Sequence, residues 1–377
     1  MKTDSRALRD FLSDPSRLVD ALVVFVPAAL ILALIGTNSA AIFITSALGI
    51  IPLAGILGEA TDALAQRAGA HAGALLNATF GNAAELIITI TAIRAGLLEV
   101  VKASITGSII GNILFVLGLS VFAGGLRHGF QHFGRRSASV SVTMMALAVI
   151  GLAIPAIFAQ AIASRSLVGV EDLSIGVAMA LMVGYALSLV FTFTQSASPV
   201  AASPSKRGTK GLGNSGATSP EHETWSMPRA LTVLAVSVIF IAILSELLVG
   251  TIEPMIREYG LTELFVGVII VPIIGNAAEH FVAVEMALKN KMDLALNIAL
   301  GSSMQIALFV APLLVFIGIF AGHPMSLVFN PFELAALAAS VIIAALIALD
   351  GESNWLEGAQ LMIVYVILAL AFFYLPV

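Results

Sequence analysis

The pentapeptide GNAAE occurs twice in this chain, 194 residues apart, each time inside a long apolar stretch. The first copy, ATFGNAAELIITITAI, supplies Gly81, Asn82 and Glu85; the second, PIIGNAAEHFVAVEMA, supplies Gly275, Asn276 and Glu279. A carboxylate inside an apolar span is costly and marks a functional site by default. The register continues downstream. Gly107-Ser108 aligns with Gly301-Ser302, and Leu114-Phe115-Val116 with Leu308-Phe309-Val310. A register held this far points to a duplicated chain whose two copies build one polar centre.

Hydrophobic residues make up 59% of the 377 and charged residues 11%. A soluble domain carries about a quarter charged residues, so composition points to an all-α polytopic membrane protein. The apolar runs are helix-length and lack the alternation of a barrel strand. The first seventeen residues mix Lys2, Asp4, Arg6, Arg9, Asp10, Asp14 and Arg17, too polar for a cleavable signal. With no cysteine, disulfides and thiolate metal sites are excluded. Nothing in the charge pattern suggests nucleic acid; the expected partners are the bilayer and small ions.

Hydropathy predicts eleven spans, near 18–37, 39–59, 72–95, 102–125, 137–160, 173–194, 228–250, 262–288, 293–321, 329–349 and 357–375. Four segments follow: 1–38 with the first helix, 39–194 as a first five-helix repeat, 195–227 as a flexible cytoplasmic linker, and 228–377 as a second repeat. With the amino terminus inside, only Arg94, Lys102, Arg165 and Arg257 of the 18 basic residues fall outside. That segregation obeys the positive-inside rule and puts the carboxyl terminus outside. Five helices per repeat is an odd number, so the second copy enters the membrane inverted. Inverted repeats place their shared site near the midplane. The expected residence is a bacterial cytoplasmic membrane.

Asn82 and Glu85 are three residues apart and share a helix face, as do Asn276 and Glu279. Gly81 and Gly275, with Pro272 upstream of the latter, are expected to break the helix and free carbonyls. Thr106, Ser108 and Asn112 on one following helix, and Ser302, Ser303 and Gln305 on the other, add oxygens. Gly107, Gly111 and Gly301 are expected to permit close helix approach. An all-oxygen set suits Ca²⁺, with Mn²⁺ or another hard cation as the alternative. Two glutamates at one site also suggest coupling. Occupied by Ca²⁺ they are ionised; emptied, they repel each other and favour protons.

With these residues in view, the chain resembles the calcium/proton antiporters, the cation/proton exchanger branch of the calcium/cation antiporter superfamily. The resemblance rests on GNAAELI at 81–87, GSIIGNILFVLG at 107–118, GNAAEH at 275–280 and KMDLALNIALGSSMQIALFVAP at 291–312. It covers about residues 39–375. The sodium/calcium exchanger branch is expected to carry a proline before its motif glutamate, where this chain has Ala84 and Ala278. The resemblance implies that Glu85 and Glu279 are ligands shared by Ca²⁺ and protons, with Asn82, Asn276, Ser108, Ser302 and Gln305 lining the site. It implies no cofactor beyond the transported ions, and it makes the spans near 39–59 and 228–250 the gating pair. Many relatives carry an acidic helix between the halves; here the linker has Glu221 and Glu223 beside Lys206, Arg207 and Lys210.

Blander readings stand beside these. The two asparagines also suit helix–helix glue, and the serines suit small packing residues. His280 adjoins Glu279 and either tunes its proton or packs as a neutral ring. Glu285 and Lys289 are spaced as a surface pair. Glu59 and Asp62, ending the second span, and Glu253, after the seventh, read as solvated helix ends or cation-recruiting carboxylates. Asp350, Glu352 and Glu357 read as an acidic loop on the outer side. The leading function is Ca²⁺ export in exchange for protons. A Na⁺- or K⁺-coupled exchanger, a membrane-embedded metal-dependent enzyme and a channel are the rivals. The enzyme lacks a histidine ligand set or a nucleophile–base pair.

Overall fold

The computed structural model describes residues 19, 21–162, 168–196 and 225–375. The linker expected at 195–227 lies almost wholly outside the described residues, as do the first seventeen positions and Arg165. The chain is mostly helical. In order come α1 (Phe25–Ile35), α2 (Ser39–Ala68), α3 (Ala70–Phe80), α4 (Ala83–Arg94), α5 (Leu98–Ile110) and α6 (Leu117–His128). Next are α7 (Arg135–Ile162), α8 (Val168–Ser196), α9 (Met227–Gly250), α10 (Ile252–Tyr259), α11 (Glu263–Phe265), α12 (Val271–Gly275) and α13 (Ala277–Leu288). The last are α14 (Met292–Gln305), α15 (Ala311–Phe320), α16 (Pro331–Ala348) and α17 (Trp355–Tyr374). Among the described residues, 8 helices are long and apolar enough to cross a membrane, or 9 if a bent pair counts as one. That pair runs Glu263–Gly275 and Ala277–Leu288, bent by 63° at the second motif. This is a multi-pass membrane protein.

Local signals start the helices where expected. Asn38 caps α2 by accepting from the Ala40 N–H at 2.6 Å. Asn330 and Glu333 form a capping box ahead of α16, and Asn354 and Glu357 another ahead of α17. Such caps each contribute about 1 kcal/mol. Helix α2 runs on to Ala68, so Glu59 and Asp62 lie within it rather than at its end.

Burial separates a central pair of spans from a lipid-facing rim. In Leu98–His128, 72% of the apolar window is buried, against 22% in Gly169–Thr192 and 22% in Trp355–Tyr374. The rim shows Ile150, Ile157, Val183 and Leu187 outward, as lipid-facing helices do. The central spans pack backbone to backbone. A Cβ on Gly107 would fall 2.1 Å from the Val268 carbonyl oxygen, so that crossing needs glycine. Gly111 and Gly301 meet nothing within 4 Å. The close approach expected of all three holds for Gly107 alone, because packing depends on what stands opposite as well as on side-chain size.

Among the described residues, three π-helical stretches widen these spans: Gly111–Val116, Val266–Ile270 and Ile306–Val310. The first and third occupy aligned positions in the two copies. Such bulges concentrate at functional sites, and nothing in the sequence reading anticipated them.

A two-stranded strap closes one face. Strand β1 (Gln131–His132) pairs antiparallel with β2 (Glu352–Ser353). On the same face the Gly134 N–H donates to Asp293 Oδ1 at 2.5 Å, Gln131 Nε2 donates to the Ala287 carbonyl at 2.9 Å, and Arg135 donates to the Leu349 carbonyl. The expectation that Asp350, Glu352 and Glu357 lie on the outer side is therefore corrected. They share a face with Arg135, Arg136, Lys289 and Lys291, which the charge reading puts inside. The physical reason is the direction of α16. It starts beside Lys102, whose Nζ donates to the Val328 carbonyl at 3.2 Å, and ends at the Arg135 face.

Candidate functional site

Each motif interrupts a helix at its asparagine. Asn82 (φ −100°, ψ 22°) separates α3 from α4, and Asn276 (φ −106°, ψ 8°) separates α12 from α13. Gly81 keeps helical dihedrals (φ −57°, ψ −43°), and Gly275 is the last residue of α12. The break assigned to the glycines thus falls one residue later. One carbonyl near each break stays bonded, Asn77 to the Gly81 N–H and Pro272 to the Asn276 N–H. What Gly275 provides is proximity. A Cβ there would sit 3.3 Å from the Cβ of Glu85, so the second motif packs directly on the first.

Glu85 and Glu279 lie in the first turns of α4 and α13, where the helix dipole favours negative charge. Glu85 is sealed, with 1% of its surface exposed, whereas Glu279 is half-buried. Each carboxylate has one buried oxygen, Oε2, with no hydrogen-bond partner. Such atoms are rare in a folded interior and mark a place for a proton or a cation. The other Glu85 oxygen accepts from Ser108 Oγ.

The remaining expected residues complete the centre. Asn276 Nδ2 donates to Ser108 Oγ at 3.1 Å and to the Pro272 carbonyl at 3.2 Å. Ser302 Oγ donates to Asn82 Oδ1 at 3.2 Å, and Asn82 Nδ2 donates to Gln305 Oε1 at 2.8 Å. Each serine thus stands beside the asparagine of the other copy. Asn112 donates to Ser302 at 3.1 Å and meets His280 Nε2 at 3.2 Å. His280 is therefore tied into the polar centre, with its ring edge-on to Phe115 at 6.1 Å between centroids.

Two expected oxygens turn elsewhere. Ser303 donates to the Ala299 carbonyl of its own helix at 2.8 Å. Thr106 donates to Glu333 Oε1 at 2.6 Å. Glu333 itself, 2% exposed, escaped the sequence reading; the signal was the capping pattern Asn330-Pro331-Phe332-Glu333. Lys102, paired with Glu99 at 2.5 Å, lies on the same helix as Thr106. At the surface, Glu285 and Lys289 form the expected pair at 2.5 Å, and Glu253 pairs with Arg257 at 3.3 Å. Among the described residues no cluster of three or more His, Cys, Asp or Glu side chains is arranged to hold a metal. The centre groups two carboxylates with neutral amide and hydroxyl side chains, the kind of oxygen donors that hard ions take.

The chain is similar to known proteins along nearly its whole length. Residues 38–194 and 229–374 match the family described as "Sodium/calcium exchanger protein". The Ca²⁺/H⁺ antiporter of Aphanothece halophytica is 46% identical over 358 residues, 94% of this chain and 96% of that protein. The Ca²⁺/H⁺ antiporter of Synechocystis is 43% identical over 97% of this chain and 99% of that protein. The crystal structure of the Ca²⁺/H⁺ antiporter protein YfkE superposes with a TM-score of 0.80 at 40% identity, covering 95% of this chain and all of that one.

Proposed function

Since the chain belongs to the sodium/calcium exchanger protein family and is a secondary transporter, we propose that it exports Ca²⁺ from the cytoplasm in exchange for protons. The observation that carries this reading is the pair of buried, unpartnered carboxylate oxygens on Glu85 and Glu279. They stand in one centre with Asn82, Asn276, Ser108, Ser302 and Gln305. Ca²⁺ bound there neutralises both carboxylates. Two protons do the same, so an unoccupied and ionised site is disfavoured in a poorly solvated interior. Exchange follows because the two cargoes compete for the same oxygens.

The proposed architecture is eleven helices in two inverted five-helix units. Helix α1 and the broken pair α3–α4 supply the spans beyond the long apolar helices. The opposed ends of α16 support the alternation, and the charge segregation supports a cytoplasmic amino terminus and an external carboxyl terminus. In the proposed cycle, α2 and α9 slide across the centre. They pack on each other, and α9 also packs on α4. A Na⁺- or K⁺-driven exchanger is the competing reading. Ala84 and Ala278 in the motifs, and relatives described as Ca²⁺/H⁺ antiporters, favour protons.

The test is ⁴⁵Ca²⁺ uptake into proteoliposomes with an acidic interior, in buffers free of Na⁺ and K⁺. The proposal expects uptake that collapses when a protonophore dissipates the gradient. Uptake that requires Na⁺ or K⁺ and ignores pH overturns it.

A further inference from the structure

The two motif asparagines face their serines with opposite ends. Asn276 presents its amide nitrogen to Ser108, donating at 3.1 Å, and the Ser108 hydroxyl donates in turn to Glu85. Asn82 presents its carbonyl oxygen, accepting from Ser302 at 3.2 Å, while its nitrogen donates to Gln305 at 2.8 Å. The cause is three polar residues without a polar counterpart in the other copy. Asn112 aligns with Ile306, Gln305 with Gly111, and His280 with Leu86. Asn112 meets His280, and Gln305 meets Asn82 of the first motif.

Asn112 is the hinge of this arrangement. Its Nδ2 donates to Ser302 Oγ at 3.1 Å, which fills an acceptor position and turns the Ser302 proton toward Asn82. With the nitrogen end so engaged, the end facing His280 is Oδ1, at 3.2 Å from Nε2. His280 must then carry its proton on Nε2. The links run one way, from His280 through Asn112, Ser302 and Asn82 to Gln305, each donating to the next. Asn112 is 1% exposed, so water does not compete for either end of its amide.

We infer that Asn112 is a positioning residue for the cation: acting through Ser302, it locks the Asn82 carbonyl oxygen in place at the site. This rests on the reading that the centre binds Ca²⁺. A carbonyl oxygen has two acceptor positions, so one takes the Ser302 proton and the other faces the cation. Each serine is held by a donating amide, Ser108 by the motif residue Asn276 and Ser302 by Asn112, which lies outside the motifs. Preorganisation removes the cost of ordering a ligand, so its loss shows in affinity before turnover.

The test compares native protein with Asn112→Ile and His280→Leu, which copy the residues of the other half, with Gln305→Gly, and with the Asn112→Ile/His280→Leu double variant. Gradient-driven Ca²⁺ uptake gives KM and Vmax, and the Ca²⁺-induced shift of Tm in detergent gives Kd without transport. Asn112→Ile is expected to raise KM and Kd roughly five- to tenfold, as loss of about one hydrogen bond does, with a much smaller fall in Vmax. His280→Leu shifts both in the same direction by less, and the double variant is no worse than Asn112→Ile alone. If Asn112→Ile fails to fold, His280→Leu and Gln305→Gly carry the same expectation. Unchanged KM and Kd, a loss confined to Vmax, or an additive double variant overturns the inference and leaves Ca²⁺/H⁺ exchange standing. Native protein that binds Ca²⁺ but does not exchange it for protons removes the transport reading, while the Kd ratios still decide the role of Asn112. Native protein that does not bind Ca²⁺ overturns both.

Discussion

At the first motif a sealed carboxylate, Glu85, leans on one serine; at the second, Glu279 keeps part of its surface open beside a directed chain of polar side chains. Both motifs break their helix at an asparagine, place a glutamate in the following turn and draw a serine from the next helix. Duplication thus supplies a matched set of polar side chains. The unmatched positions, Asn112, Gln305 and His280 against Ile306, Gly111 and Leu86, supply the difference between the halves.

The comparison breaks most sharply at the carboxylates. Glu85→Gln and Glu279→Gln are each expected to reduce pH-driven Ca²⁺ uptake to the level of protein-free liposomes, a loss on the order of a hundredfold or more. Retained exchange in either variant means that one half alone carries the cargo.

The aligned glycines sharpen the contrast in packing. Gly107→Ala forces a Cβ to within 2.1 Å of the Val268 carbonyl, while Gly301→Ala meets nothing within 4 Å. The first is expected to lower stability by about 1–3 kcal/mol and the second by less than about 0.5 kcal/mol. Thermal unfolding in detergent reads both. Equal shifts refute the close crossing at Gly107.

The serines come next. Ser108→Ala strips Glu85 and Asn276 of a shared partner, and Ser302→Ala strips Asn82 and Asn112. Each is expected to raise KM for Ca²⁺ roughly tenfold. A change in Vmax alone would argue that the serines serve the conformational step instead. The smallest effect belongs to the surface. Both side chains of Glu285 and Lys289 are more than half exposed, at 55% and 53%, so Glu285→Ala leaves uptake and Tm unchanged within error.

Much of this was readable from the chain. The twin pentapeptides, the aligned Ser108 and Ser302, and apolar runs of spanning length gave the class and the centre before any coordinates. What escaped reading has physical causes. A π-helical turn shifts the register by one residue without altering composition, so Gly111–Val116 and Ile306–Val310 left no trace. Glu333 sits in an apolar helix start and shows itself only through a three-residue spacing to Asn330. The strap rests on two residues per strand, too short for a periodicity. The opposed orientations of Asn82 and Asn276 depend on neighbours brought together across the fold, which no local pattern encodes.

The central claim is that two motifs share one cation, and equilibrium ⁴⁵Ca²⁺ binding to purified protein at alkaline pH tests it most directly. The account predicts a single Ca²⁺ per chain, released on acidification, and lost in Glu85→Gln and Glu279→Gln alike. Two bound ions, or one ion that survives either substitution, would contradict it.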